Sequence, residues 1–268
     1  MIPHETINKL ELCFNSLSEL GAQLTESQWK LPTDCPGWSV QDNLSHIVAY
    51  ENTESGGAHT SHQAPKFDYV RNPIGELNEN EIDSRRSLAG SAVLSEWIEV
   101  AARRLNLLRT ADESYFDKEV MTPTGPGTTA DFLHIRVLDC WVHEQDMRRA
   151  VGIPGHLSGP AAEHTIDRLI RTVPIVVGKR AATPDGQSVV IDITGGVQRH
   201  VVCTIVDGRA KVVSQEPEAP LARITMDTET FLVLATGRRN ADDVNEKINY
   251  SGDTDHGRKI TSALNMMI

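Results

Sequence analysis

The sequence predicts an α+β protein: an antiparallel four-helix bundle followed by a smaller α+β domain. Three observations carry this. Apolar residues recur at helical spacing through about the first 150 of the 268 residues. β-Branched runs separated by turn dipeptides appear only after Pro184-Asp185-Gly186. Gly152, Pro154 and Gly159 punctuate the passage between the two patterns, which sets domains at 1–152 and 159–268.

Residues 3–29 carry Ile7, Leu10, Phe14, Leu17, Leu20 and Leu24 on one helical stripe. The segment 31–38, with Pro32, Pro36 and Gly37, is a turn, and Ser39 is a good N-cap for a helix over 39–54 with Val40, Leu44, Ile47 and Val48 inward. Residues 55–73 form a polar loop. A long helix is expected over 75–110, with Leu94, Trp97, Ile98, Ala101, Leu105 and Leu108 on its apolar side. Residues 122–127 are a loop. Thr128 or Thr129 then caps a helix that runs to Val151, where Gly152 and Pro154 stop it. Beyond the boundary, one helix is expected over 159–181. Strands follow at 189–193, 200–206 and 210–213, with Asp207-Gly208 as a hairpin turn. A strand at 222–226, a helix at 227–236, a strand at 246–251 and a helix at 254–267 complete the chain.

The composition, 39 % hydrophobic with a net charge of -11, suits a globular protein with a true core. Without a Lys/Arg-rich block, neither nucleic acid nor an anionic membrane is expected as a partner. Residues 1–5 lack the charged-then-apolar pattern of a signal peptide, and no apolar run approaches the roughly 20 residues of a spanning helix. A cytoplasmic location is therefore expected. Cys13, Cys35, Cys140 and Cys203 show no CxxC spacing, which argues against a zinc ribbon or a disulfide scaffold. Nothing in the sequence speaks to oligomeric state.

Chemistry concentrates in two helices of the first domain. Asp139 and His143 are four residues apart and share a helix face, as do Asp42 and His46. Chance placement of 37 acids and 10 histidines supplies about one or two such pairs, so spacing alone decides nothing. Placement adds weight, because facing helices of a bundle commonly build metal sites. His46, Asp139 and His143 would give two imidazoles and a carboxylate, the three-ligand pattern of a catalytic site with one position open. Asp42 could then accept from the far nitrogen of His46, and Asp146 from that of His143. Trp38 and Trp141 are candidates to wall a cofactor pocket, against the simpler reading that they pack between helices. Arg136 is a candidate to hold a carboxylate of cofactor or substrate, against a solvated position. Cys35 lies near the site, and Cys140 points about 100° away from Asp139 and belongs to the core.

The run from Pro36 to His46 resembles the start of the second helix in mycothiol-dependent maleylpyruvate isomerases. Asp139-Cys140-Trp141-Val142-His143 is similar to their later ligand helix, and Ala222–Asp227 with its Phe-containing helix is similar to their C-terminal domain. The resemblance implies a DinB-like bundle joined to a sterol-carrier-like domain. It implies a divalent metal, zinc first, held by His46, Asp139 and His143, with mycothiol as thiol cofactor in an actinobacterial setting. Where the family has glutamate this chain has Asp139, shorter by one methylene, or about 1.5 Å of reach. The implied partners are the thiol and a small-molecule electrophile. The implied activity is metal-assisted addition of thiolate, either as an S-transferase or as a cis-trans isomerase. Two other functions fit the residues: a metal-stabilised carrier of a small apolar ligand, and a hydrolase using zinc-bound water without thiol.

Overall fold

A computed structural model describes residues 1–215 and 217–266. The chain divides into two units, Met1–Gly155 and His156–Ile268.

The first unit is built on α1 (His4–Gly21), α2 (Glu26–Trp29), α3 (Val40–Thr53), α4 (Pro73–Arg86), α5 (Gly90–Thr110), α6 (Glu113–Asp117) and α7 (Thr129–Val151). Two expected helices are broken. The 3–29 segment stops at Gly21 and restarts at Thr25, whose side chain and Gln28 form a reciprocal cap for α2. The 75–110 segment breaks at residues 87–89. The Glu26 carboxylate there accepts from Gly90 N at 2.8 Å and Ser91 N at 3.0 Å, supplying the cap that α5 lacks locally. Gly90 also abuts the Trp29 indole, where any Cβ would overlap the ring. These are long-range contacts, invisible in a local pattern. Ile98, expected inward, is 52 % exposed. The expected loop at 122–127 is instead a hairpin of β1 (Glu119–Thr122) and β2 (Gly125–Thr128) turning at Pro123-Thr124.

Helix α1 packs on α5 and α7, and α3 packs on α4, α5 and α7. Leu10, Phe14, Leu17, Leu44, Ile47, Trp97, Leu108, Val137 and Trp141 fill the interior. Phe14 meets Trp97 edge to face at 4.8 Å between centroids.

The second unit begins with α8 (Pro160–Ile170) and a π-helical turn, Ile175–Arg180. The single helix expected over 159–181 is interrupted there because Pro174 lacks an amide hydrogen and disfavours helical geometry before it. Strands β3 (Ser188–Thr194), β4 (Arg199–Val206), β5 (Arg209–Val213), β6 (Ala222–Asp227) and β7 (Asn249–Gly252) form one sheet in the order β5-β4-β3-β6-β7. Only the β3–β6 pairing is parallel. The central β3 is buried from Ser188 to Ile191 and again at Ile193, and helix α9 (Thr228–Ala235) packs on it and on β6. A 3-10 segment at Ala241–Lys247 was not expected from sequence, and α10 (Thr254–Ser262) ends earlier than predicted. Met267, the predicted end of that helix, lies outside the described residues. No helix among the described residues is long and apolar enough to cross a membrane.

Candidate metal centre

Two helix starts determine where the candidate ligands stand. Gly37 has φ +78° and lies against the Tyr69 ring, a backbone position and a close approach that only glycine accommodates. The turn it permits brings Ser39 to the N-cap of α3. Ser39 Oγ accepts from Asp42 N at 3.2 Å, and Asp42 Oδ2 accepts from Ser39 N at 2.9 Å. His46 follows about two turns later. Thr128 and Asp131 form the same reciprocal cap on α7, which carries Asp139 and His143 about one turn apart.

The two helices bring these three side chains together. His46 Nε2 lies 3.1 Å from Asp139 Oδ2, and His143 Nε2 lies 3.6 Å from Asp139 Oδ1. One donor atom from each of the three lies within 4.8 Å of the others. The imidazoles meet edge to face at 4.8 Å, and the Trp38 indole lies 5.1 Å from His46 and 5.4 Å from His143. Trp38 is itself fixed by donating Nε1–H to Glu79 Oε1 at 2.6 Å. His143 Nδ1 lies 2.7 Å from Asn43 Oδ1, so donation to that acceptor leaves Nε2 with its lone pair facing Asp139.

Behind Asp139 lies a buried ionic chain. Arg136 Nη1 donates to Asp139 Oδ2 at 2.7 Å, and Arg136 Nε donates to Glu51 Oε1 at 2.7 Å. Arg104 Nε donates to the other oxygen of Glu51 at 3.1 Å, and Arg104 Nη1 donates to Tyr115 Oη at 2.7 Å. The Arg136 guanidinium stacks over the Tyr50 ring, 4.7 Å from its centroid. Burial alone would raise the Asp139 carboxyl, but the charge of Arg136, with His46 and His143, outweighs it and holds the group well below the usual carboxylate range. Burial pushes His46 down to about 4 against the opposing pull of Asp139. An ionised Asp139 and a neutral His46 are the forms that coordinate a cation, so the donor set fits a divalent metal.

A cavity of about 300 Å³ within the first unit meets this group at His46, the one of the three that lines it. His46 and Tyr50 of α3 form part of its wall, with Ile74 and Leu77 of α4, Val120 and Met121 of β1, and Phe132 of α7.

Other expected residues fall differently. Asp42 caps α3 and pairs with Arg86 at 3.3 Å instead of serving His46, because the exposed amides of the helix start claim its carboxylate. His46 Nδ1 has no hydrogen-bond partner among the described residues. Asp146 approaches His143 Nδ1 at 3.5 Å and is also ion-paired to Arg149. Trp141 is fully buried and does not line the cavity. Arg136 is no solvated helix residue, since its donors are committed to Glu51 and Asp139. Cys140 is in the core, where burial holds its thiol far up. Cys35, His143 and Asp146 form a second group with donors within 4.8 Å of one another. That group uses the face of His143 already taken by Asn43, and none of its three residues lines the cavity.

Asn43, Glu51 and Arg104 were missed from sequence. Glu51 continues the α3 stripe of Leu44, Ile47 and Val48, and Arg104 interrupts that of Trp97, Ala101 and Leu108. A charge set into an apolar stripe is the signal that marks them.

Comparison with known proteins adds the family. The family described as mycothiol maleylpyruvate isomerase N-terminal domain matches residues 10–148. No curated protein matches the sequence. Among solved structures, a histidine-to-alanine variant of the mycothiol-dependent maleylpyruvate isomerase aligns over 92 % of this chain and 92 % of its own, with 16 % identity and a TM-score of 0.57. The parent protein aligns over the same shares at 16 % identity and a TM-score of 0.56. Sterol carrier protein 2 like 2 from Aedes aegypti covers 36 % of this chain and 96 % of its own, at 16 % identity and a TM-score of 0.27. The first two likenesses establish a shared fold. The family match covers more than half of the sequence and includes both helices that carry the candidate ligands, α3 and all but the last turn of α7, so this chain belongs to the mycothiol maleylpyruvate isomerase family.

Proposed function

We propose that this chain is an enzyme that holds a divalent metal, zinc first, through His46, Asp139 and His143 and directs mycothiol against a small electrophile in the adjoining cavity. The observation that carries the reading is the convergence of the three donors at a point where His46 forms part of the cavity wall. Membership of the family supports the thiol. A divalent cation here would stabilise the conjugate base of a thiol near neutral pH, giving a soft, strong nucleophile.

The chain's own residues account for the rest. Asn43 selects the His143 tautomer that offers Nε2. Arg136 occupies Asp139 Oδ2 and leaves Oδ1 turned toward His143. Trp38 packs against both imidazoles and restricts their rotation. In an isomerase the sulfur adds to a cis double bond, the new single bond rotates, and the same sulfur leaves. In an S-transferase the carbon–sulfur bond persists and the neighbouring carbon takes up a proton. Both outcomes use the same ligands. The four cysteines are buried and form no disulfide, which suits a reducing cytoplasm.

The test is elemental analysis and mycothiol calorimetry on the same sample. Metal-loaded protein should bind mycothiol, and metal-stripped protein should lose that binding. Equal behaviour of both samples would refute the thiol reading. Ester hydrolysis without mycothiol would point to the hydrolase.

A further inference from the structure

We infer that the electrophile taken up in the α3–α4–β1 cavity is an uncharged, largely apolar molecule and not a dicarboxylate; this rests on the proposed thiol chemistry for its reaction, but not for its binding.

The cavity walls carry the argument. No lysine or arginine is among the lining residues, and Ile74, Leu77, Val120, Met121 and Phe132 supply much of the surface. Two carboxylates, Glu54 and Glu81, also face it. Both are already partnered. Glu81 takes Arg85 at 3.3 Å, His59 at 3.0 Å and the Thr60 amide at 2.9 Å, while Glu54 lies 3.6 Å from Arg104. Among the described residues, the lining therefore offers an anion no lysine or arginine, and both of its acids are partnered.

Two further guanidiniums behind the walls, Arg104 beside Glu54 and Arg136 over Tyr50, do not change this. Arg136 is 2 % exposed, with its donors on Glu51 and Asp139, and Arg104 is fully buried against Glu51 and Tyr115. A dianion entering here would lose water beside two carboxylates and gain no charged donor from the walls. A bound divalent cation would be met by Asp139 and by the thiolate itself, leaving no net charge for the substrate. A neutral ligand would lose little and would cover exposed side chains such as Leu77, 60 % exposed, and Met121. The volume, about 300 Å³, is that of about ten waters and suits a small molecule.

The experiment uses the metal-loaded full chain and the neutral fluorophore N-phenyl-1-naphthylamine. Diethyl succinate should displace it at concentrations at least tenfold below those needed for succinate. The variant Leu77→Arg, on an exposed rim position, should shift that ratio about tenfold toward succinate while leaving the melting temperature unchanged. Three results would overturn the inference: no fluorophore binding, succinate displacing as well as the diester, or an unaltered ratio in Leu77→Arg. Mycothiol consumption with diethyl maleate and with maleate, each relative to its uncatalysed rate, separates the two levels. Preference for maleate would overturn the substrate class and leave the thiol chemistry standing. Selective binding without any mycothiol consumption would sink the thiol chemistry and leave the substrate class standing.

Discussion

Removing the Glu51 carboxylate should be among the most damaging single changes in the first unit. Glu51 is fully buried between Arg104 and Arg136, themselves 0 % and 2 % exposed, and it accepts from both at 3.1 Å and 2.7 Å. In Glu51→Ala, Arg136 retains Asp139, but Arg104 keeps only the Glu54 backbone, the Tyr115 hydroxyl and a 3.6 Å approach to the Glu54 carboxylate. Breaking a buried pair by removing one partner costs about 3–5 kcal/mol, most of it the uncompensated buried charge. The assay is urea unfolding of metal-free protein, so that ligand binding does not mask the loss. Because Arg136 loses one of its two acids, its grip on Asp139 should also change, and metal affinity should fall with stability. A loss below about 1 kcal/mol would show that water or rearrangement satisfies the guanidiniums, and the account of this chain as a rigid support for Asp139 would be wrong.

Three further outcomes are expected. Asn43→Ala frees the His143 tautomer and should weaken metal binding about 10–100-fold with little change in circular dichroism; an unchanged affinity would mean Asn43 does not orient the ring. Gly90→Ala should cost about 1–3 kcal/mol, read as a lower urea midpoint, because a Cβ there overlaps Trp29. In the metal-free protein the depressed His46 means the unfolded chain binds the extra proton first. Stability should therefore fall by up to about 3 kcal/mol as pH drops from 6.5 to about 4, at 1.36 kcal/mol per unit. Asp139, held low, adds loss in the same direction at still lower pH. A His46 proton titration near 6.5 by NMR would contradict this.

Local chemistry made much of the helical unit legible in sequence. Ser39 and Thr128 are cap residues whose partners stand three positions on, so the starts of α3 and α7 follow from the sequence itself. The apolar stripes fixed which faces turn inward. What could not be read depends on distant residues. The break before Gly90 needs Glu26 and Trp29, more than 60 positions away. The 119–128 hairpin is short and rich in glycine and proline, and so carries little strand signal. At the site, the acid and histidine four apart on α7 do approach each other, at 3.6 Å, whereas the pair with the same spacing on α3 forms no hydrogen bond. Asp42 shares a helix face with His46, yet the demand of an uncapped helix start outcompetes a bond to the imidazole. In the Arg104–Glu51–Arg136 chain only Arg136 was singled out from sequence; Glu51 and Arg104 passed unnoticed as charges within apolar stripes.

The central claim is that His46, Asp139 and His143 hold a divalent metal. Its most direct test is inductively coupled plasma mass spectrometry on the purified chain beside His46→Ala and Cys35→Ser, which separates the two donor groups that share His143. The account predicts about one equivalent of metal in the unmodified chain and in Cys35→Ser, and less than about a tenth of that in His46→Ala. Full metal content in His46→Ala, or its loss in Cys35→Ser, would contradict it.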